Sequence, residues 1–495
     1  MFKKNKKGNT DDINSELTID NLKNILMRSD DVLLKEISIN KNLKATLFFI
    51  EGIVDSKLIN EYIIKPLTQM PRFTESKTNT EVIKLISEGA LPSSSQNEKY
   101  NLTDVINSIL NGNAALLFHG KNIAFVFDVK GFEKRSITEP TDENVIKGSK
   151  DVFIEALRVN TATVRRKIKS PNLVLEEIIL GKQTQTSISI IYMSNIVNEQ
   201  LLNELKKRLN KINVDAVLSL NSIEDYIIDK KLSAFPQFIN TEKPDKFCSN
   251  ILEGRVGLII DGLPISIIVP GILVQFIQAT EDYSQNYIIS STLRFMRVIL
   301  IFTTLLLPGF YISIISFHHE MIPIELALSI SASDKGVPFP PFIEVILLLI
   351  AFEVLMEAGL RLPKSIGQAV SIVGAIVVGQ AAVDAKLVSP AVVITIAVTA
   401  MANYTVPNQD LSNALRLWRF IIAILSSILG LMGLSMGSLI LLYHLCSIEC
   451  FGVPYLSPFV SGENEDLGDT LFRLPVYFLK NRPLNLNTSN RKRID

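Results

Sequence analysis

Residues Pro341–Leu360 read PFIEVILLLIAFEVLMEAGL, an apolar run of bilayer-crossing length that nevertheless carries three glutamates. Crossing the hydrocarbon core as helix takes about 20 mostly apolar residues. A charged side chain at mid-depth costs roughly 2.5–3.5 kcal/mol on insertion scales. Residues facing lipid rarely carry such a cost, so this helix is expected to pack against protein or water. Glu344 and Glu357 lie near the ends of the run, within reach of headgroups, whereas Glu353 is the deepest. At about 100° per residue, Glu353, Glu357 and Arg361 share one stripe and Glu344 points the opposite way. Two readings stand side by side: interhelical glue, with Glu357 paired to Arg361, or an ion pathway.

A chain of 495 residues has room for two or three domains. Lys+Arg and Asp+Glu each number 50, so no global field favours nucleic acid or an acidic substrate. The hydrophobic content of 47% averages a polar first half with an apolar second half. Residues 1–35 are expected to form a polar tail and a short helix. Their opening, MFKKNKKGNTDDINSELT, lacks the apolar core of a signal peptide, which places the polar half in the cytosol. Cys248, Cys446 and Cys450 are too few and too scattered for a disulfide framework. The grouping of His444, Cys446 and Cys450 reads as helix-end packing in preference to a metal site.

Residues 36–245 read as a soluble α/β or α+β region, with two subdomains split near 130–145. Helical spacing runs over Leu17–Leu34 and is closed by Asp30 and Asp31. Leu43–Ile50, Ala114–Phe118 and Ile123–Asp128 are β-rich, the last two flanking an HGKN turn, and Glu98–Leu110 reads as helix. Further on, Asp151–Lys169 is expected as helix, Leu173–Leu180 and Thr186–Tyr192 as strands, and Glu199–Leu209 as an amphipathic helix. Strand Ala216–Leu220 and helix Ile223–Asp229 follow. The basic cluster Arg165, Arg166, Lys167 and Lys169 reads as a solvated helix face or a set of intersubunit partners. It lacks the interleaved aromatics that stack on bases. No phosphate loop, zinc motif or nucleophile elbow is present, so neither a cofactor nor enzyme chemistry is expected. His119, beside a Gly turn, reads as a turn residue.

Residues 250–290 are expected to be a linker. Within them Arg255–Val269 reads RVGLIIDGLPISIIV, two apolar runs joined by the hairpin signal Asp261-Gly262. Gly271–Ala279 then reads as a short interfacial helix. Residues 291–446 are expected to be a transmembrane helical bundle, beginning with Leu293–Phe317. Arg294 and Arg297 at its start point to the cytosolic side. The glutamate helix, Ile366–Ala382, Val392–Tyr404 and Leu417–Tyr443 complete the set. Gly367, Ser371, Ala375 and Gly379 form one small-residue stripe, and Ser426, Gly430, Gly433 and Gly437 another. Such stripes let backbones approach closely, within one chain or between copies. Residues 447–495 read as a basic cytosolic tail carrying Arg473, Lys480, Arg482 and Arg491–Arg493. Five apolar runs set that tail opposite the soluble half, while a re-entrant Val392–Tyr404 would return it to the same side.

Several long segments resemble the A subunit of bacterial spore germinant receptors, the GerA family. They are GRVGLIIDGLPISIIVPGILVQFIQATEDY, the block from PFPPFIEVILLLIAFEVLMEAGL to LVSPA, FGVPYLSPF, TEPTDENVIKGSKDVFIEALRVNTATVRRKIKSPNLVLEE and LNELKKRLNKINVDAV. The resemblance runs from about Asn40 to Pro483 and departs from the family pattern within GSKDVFIEAL, where Pro and Gly are commoner. It implies a multi-pass protein of the spore inner membrane, in contact with lipid and working with a permease-like B subunit and a lipoprotein C subunit. It also implies a homo-oligomeric ring, with a pentamer the expected form, whose pore releases ions when nutrient binds. In that setting Asp261 and Gly262 are candidates for a coupling hairpin. The F component of the stage V A operon is a paralogue with the same pattern, and a non-conducting signalling scaffold is a further alternative.

Overall fold

A computed structural model describes residues 16–93, 95–131, 148–361, 379–460 and 467–493. The chain divides into two compact units. The first takes residues up to 228, 238–270 and 480 onward, and the second takes 229–237 and 271–479.

The first unit is built on two five-stranded sheets. In the earlier sheet the inner strands β2 (Lys44–Ile50), β4 (Asn113–Phe118) and β5 (Ala124–Asp128) are almost continuously apolar and buried. That pattern belongs to strands covered on both faces. β1 (Val32–Ser38) and the short polar β3 (Gln96–Lys99) are the edges, in the order β1-β2-β4-β5-β3. Helix Leu102–Leu110 buries Leu102, Val105, Ile106, Ile109 and Leu110, one apolar stripe at helical spacing. The later sheet contains β6 (Leu173–Leu180), β7 (Thr186–Met193), β8 (Ile239–Thr241), β9 (Val256–Ile260) and β10 (Ser266–Val269), in the order β6-β7-β9-β10-β8. Every strand pair in both sheets is antiparallel, so the unit is α+β, the second of the two expected classes.

Several boundaries differ from the sequence reading, each because a tertiary contact outweighs local periodicity. The helix expected over Leu17–Leu34 stops at Leu26, and Val32 already pairs with Ile50 in β1. Ser29 and Asp31 in between are drawn into buried bonds with Arg165. Gln96–Lys99 is β3, paired with β5, so the helix read over Glu98–Leu110 begins at Leu102. Of Asp151–Lys169 only Leu157–Lys167 is helical. The residues before it are neither helix nor strand, and Phe153 N–H donates to the Glu242 carbonyl at 2.8 Å. Ala216–Leu220 is no strand: Val217 N–H is taken up by Thr184 Oγ1 at 3.2 Å.

The stretch read as a linker at 250–290 differs most. β9 and β10 are buried at every position, and strands of that kind need neighbours on both sides. They find them in β7 and β8, so the Asp261–Gly262 hairpin lies within the later sheet and the unit boundary falls after Pro270. The region read as one basic tail is likewise divided. Residues from Lys480 onward belong to the first unit, where Arg482 Nε donates to the Leu252 carbonyl at 2.9 Å and Ser489 N–H to the Ile196 carbonyl at 2.9 Å.

The second unit is helical: α1 (Tyr287–Phe317), α2 (Ile324–Ser333), α3 (Pro341–Arg361), α4 (Pro390–Asn403), α5 (Gln409–Leu429) and α6 (Leu431–Cys446). Among the described residues, α1 and α5 are long and apolar enough to cross a membrane, at 31 and 21 residues. Helix Leu273–Ile277 precedes them within the stretch read as interfacial. The run read as a single helix over Leu417–Tyr443 is two. Gly430 joins α5 to α6 at φ 62°, ψ −139°, a backbone region essentially restricted to glycine. Of the helix expected at Ile366–Ala382, residues 366–378 lie outside the described residues.

Candidate functional site

Glu353 sits in the middle of α3, and Arg416 and Arg419 project from α5 three residues apart, hence from one face. Arg416 Nη1 donates to Glu353 Oε2 at 2.7 Å, and Arg419 Nη2 donates to Oε1 at 2.7 Å. Both carboxylate oxygens are thus held by charge-assisted bonds from a neighbouring helix. Exposure of the three side chains is 28% for Glu353, 16% for Arg416 and 4% for Arg419. Arg416 also bonds Asn413 Oδ1. A cavity of about 10 Å³ opens beside the centre, lined in part by Met356, Asn403 and Tyr404. Nε of both arginines is buried without a hydrogen-bond partner among the described residues. The deep glutamate is therefore an interhelical bridge, with partners that the sequence reading did not assign.

The other residues expected at this helix are placed differently from one another. Glu344 is 2% exposed and accepts the Ser389 N–H at 2.6 Å. Its carboxylate sits against the first turn of α4, where the helix dipole favours negative charge. Glu357 is exposed one turn beyond Glu353, and Arg361 closes α3, its side chain outside the described residues. Gly367, Ser371 and Ala375 also lie outside them. Gly379 has room for a Cβ, 3.4 Å from Val393 Cγ1. Gly433 has none: a Cβ there would fall 2.0 Å from the Leu425 carbonyl oxygen. Gly437 faces Ile422 in the same way, at 3.1 Å. The stripe Ser426, Gly430, Gly433 and Gly437 thus packs α6 onto α5 within the chain.

A second ionic centre, unforeseen from sequence, lies at the start of α1. Asp282 accepts from Arg294 Nε at 2.9 Å and from Arg297 Nη1 and Nη2 at 2.8 and 2.9 Å. Arg294 Nη1 reaches Asp469 Oδ1 at 2.8 Å, and Arg473 Nη1 donates to the Asp282 carbonyl at 2.6 Å. The guanidiniums of Arg294 and Arg473 each stand 5.3 Å from the Tyr283 ring centre. Burial pushes the Asp282 carboxyl up, but the Arg297 and Arg294 guanidiniums outweigh it and hold the group below the usual carboxylate range. Arg294, read from sequence only as marking the cytosolic end of the helix, is fully buried.

In the first unit Asp261 accepts the Leu157 N–H at 3.1 Å, and Gly262 N–H donates to the Glu155 carbonyl at 2.8 Å. The hairpin tip therefore starts helix Leu157–Lys167. Of the basic cluster, Arg165 is buried, whereas Arg166, Lys167 and Lys169 are exposed, as a solvated face requires. Arg165, 2% exposed, binds Asp31 through Nε at 2.8 Å and Nη2 at 2.9 Å, and Lys167 pairs with Asp151 at 3.4 Å. Among the described residues no group of His, Cys, Asp and Glu forms a metal cluster.

A discontinuous α+β unit interrupted by a helical unit with interior ion pairs is the architecture on which the comparisons with known proteins fall. The Bacillus/Clostridium GerA spore germination protein family matches residues 20–485, and the chain belongs to that family. Spore germination protein KA of Bacillus subtilis (strain 168) is 39% identical over 467 residues, 94% of this chain and 85% of that protein. A second Bacillus subtilis relative, named as the uncharacterized membrane protein YfkQ, is 36% identical over 95% of this chain and 91% of its own length. A crystal structure of the N-terminal domain of the A subunit of the Bacillus megaterium spore germinant receptor GerK3 is 28% identical. It covers 53% of this chain and 99% of that one, with a TM-score of 0.42.

Proposed function

We propose that this chain is the A subunit of a spore germinant receptor, a membrane protein that oligomerises and releases ions when a nutrient is sensed. The observation that carries the reading is the GerA family match along residues 20–485. Membrane embedding is supported by the spanning length and apolarity of α1 and α5 and by the relative YfkQ, named as a membrane protein. The chain leaves its first unit after Pro270 and rejoins it at Lys480. With both junctions on one folded unit, the helices between cross the bilayer an even number of times. The soluble unit and Lys480–Arg493 then share the cytosolic side, as the basic residues of that segment favour.

In this reading Glu353 is a structural bridge within the subunit and not a ligand for the permeating ion. The connection of β10 to the helical unit after Pro270 supports a coupling role for the Asp261–Gly262 hairpin that precedes this strand. The expected partners are the permease-like B subunit, the lipoprotein C subunit and further copies of this chain. The test uses spores lacking the chain, exposed to a panel of nutrients. Loss of potassium release to one nutrient class, with the response to others intact, supports the proposal. Unchanged release to every nutrient that triggers the parent spores would refute it.

A further inference from the structure

Within the first unit, two basic clusters separated by the loop 483–490 are zipped side by side. Asn481 and Lys492 form an antiparallel bridge, Arg482 N–H donates to the Arg491 carbonyl at 2.7 Å, and Arg493 N–H donates to the Lys480 carbonyl at 2.8 Å. This register sets Lys480 opposite Arg493 and Arg482 opposite Arg491, and like charges placed opposite one another destabilise a paired ladder. The loop between the clusters is pinned to the rest of the unit. Leu486 is buried, its carbonyl accepts from Asn198 Nδ2 at 3.4 Å, and Ser489 Oγ donates to the Val197 carbonyl at 3.1 Å. The fold thus holds five cations together against their mutual repulsion.

Neutralisation from within the chain is incomplete. Arg493 Nη2 reaches Glu253 Oε1 at 3.1 Å, but Glu253 is shared with Arg255. Arg482 directs its guanidinium to neutral acceptors, the Leu252 and Asn490 carbonyls. Lys480, Arg491 and Lys492 are exposed and form no ion pair among the described residues. From Lys480 onward the sequence holds one acid, Asp495. Lys480 also follows directly on Leu479, where the helical unit ends, and the exposed aromatics Tyr477 and Phe478 stand just before it in the chain. Aromatic rings followed by clustered cations suit the headgroup level of a bilayer.

We propose that Lys480, Arg482, Arg491, Lys492 and Arg493 form a docking surface for the anionic phosphate headgroups of the membrane that the helical unit enters. The choice of a bilayer as the partner rests on the membrane reading above.

The test uses the full-length chain with Cys446→Ser and Asn481→Cys, an environment-sensitive fluorophore on the new cysteine, and lipid nanodiscs of phosphatidylcholine with increasing phosphatidylglycerol. The emission should move to shorter wavelength and saturate as the anionic lipid rises. At about 1 M salt, where the Debye length falls to about 3 Å, the shift should vanish. Each cation lost weakens attraction to an anionic leaflet about fivefold, so Arg491→Gln with Lys492→Gln should leave under about a tenth of the response. Arg491→Lys with Lys492→Arg should keep it, and the same probe on Lys57→Cys should not respond. No shift with phosphatidylglycerol, a shift equally large in the double Gln variant, or a shift produced instead by soluble glycerol phosphate or duplex DNA would each overturn the proposal. Insertion into the discs without a shift would leave the membrane reading standing and remove this surface. A shift on anionic discs by a chain that does not insert would do the reverse.

Discussion

The Asp31–Arg165 pair offers the sharpest energetic prediction, because both side chains are 2% exposed and their bonding is complete. Arg165 Nε and Nη2 grip the two oxygens of Asp31, and Nη2 also donates to Ser29 Oγ at 2.7 Å. Ser29 Oγ in turn donates to Asp31 and accepts the Leu175 N–H at 2.8 Å, so the triad ties the turn before β1 to β6. Asp31→Ala strands a guanidinium without its counter-charge, a loss of about 3–5 kcal/mol for a buried pair. Against a domain stability of about 5–15 kcal/mol, that is a large fraction of the whole. Replacing both partners with apolar residues of similar volume, Asp31→Leu with Arg165→Met, should cost far less than the sum of the single changes, since no stranded charge remains. The assay is hydrogen exchange of the full-length chain, read at the amides of β1, β2 and β6. Asp31→Ala should accelerate exchange there by about two to four orders of magnitude, and the double variant should recover most of the protection. An Asp31→Ala effect below about 1 kcal/mol, the range of exposed pairs, would refute the reasoning.

Further outcomes follow from other packed points. Gly433→Ala should lower the thermal midpoint markedly, because the obstructing atoms are backbone, while Gly379→Ala should leave it nearly unchanged; similar midpoints would contradict the packing of α6 on α5. Burial pushes the Cys248 thiol up to about 12, so maleimide at pH 8 should label exposed Cys446 and spare Cys248 until the chain is denatured. The Asp282 carboxyl is held low in the fold. The stability it contributes is therefore present above the unfolded value of about 3.9 and lost as pH falls through the folded one. Hydrogen exchange around residues 282–294 should quicken only below about pH 4, and quickening between pH 5 and 7 would contradict this.

Sequence periodicity was most legible where a segment's own pattern coincides with its tertiary neighbours. β6 and helix Glu199–Leu209 follow the expected spans, because alternation and helical spacing there match the buried faces. The Leu17–Leu34 pattern was ambiguous in the same terms: Val32–Ser38 keeps an apolar spacing that either element could use, and pairing with β2 decides it. The Asp-Gly hairpin was recognisable locally, but its membership of a sheet depends on β7, some 65 residues earlier in the chain. The acid in α3 could be identified as needing shelter. Its partners could have been sought as well, since Arg416 and Arg419 are the two basic residues, spaced three apart, of a largely apolar helix. Asp469 gave no such signal, because its meeting with Arg294 depends on the chain returning after almost the whole helical unit, whereas Asp282 meets Arg294 locally, 12 residues away. The small-residue stripe at Ser426–Gly437 was read on one helix, and the break at Gly430 turns its members toward each other.

The account as a whole rests on a membrane-embedded helical unit whose two ends join one cytosolic unit. Single cysteines placed at the exposed positions Lys57 and Lys492, followed with a membrane-impermeant maleimide in sealed vesicles of each orientation, test this directly. Both positions should label in inside-out vesicles and both should be protected in right-side-out ones, after subtraction of the wild-type signal. Labelling of the two from opposite sides, or recovery of the intact chain in the soluble fraction, would contradict it.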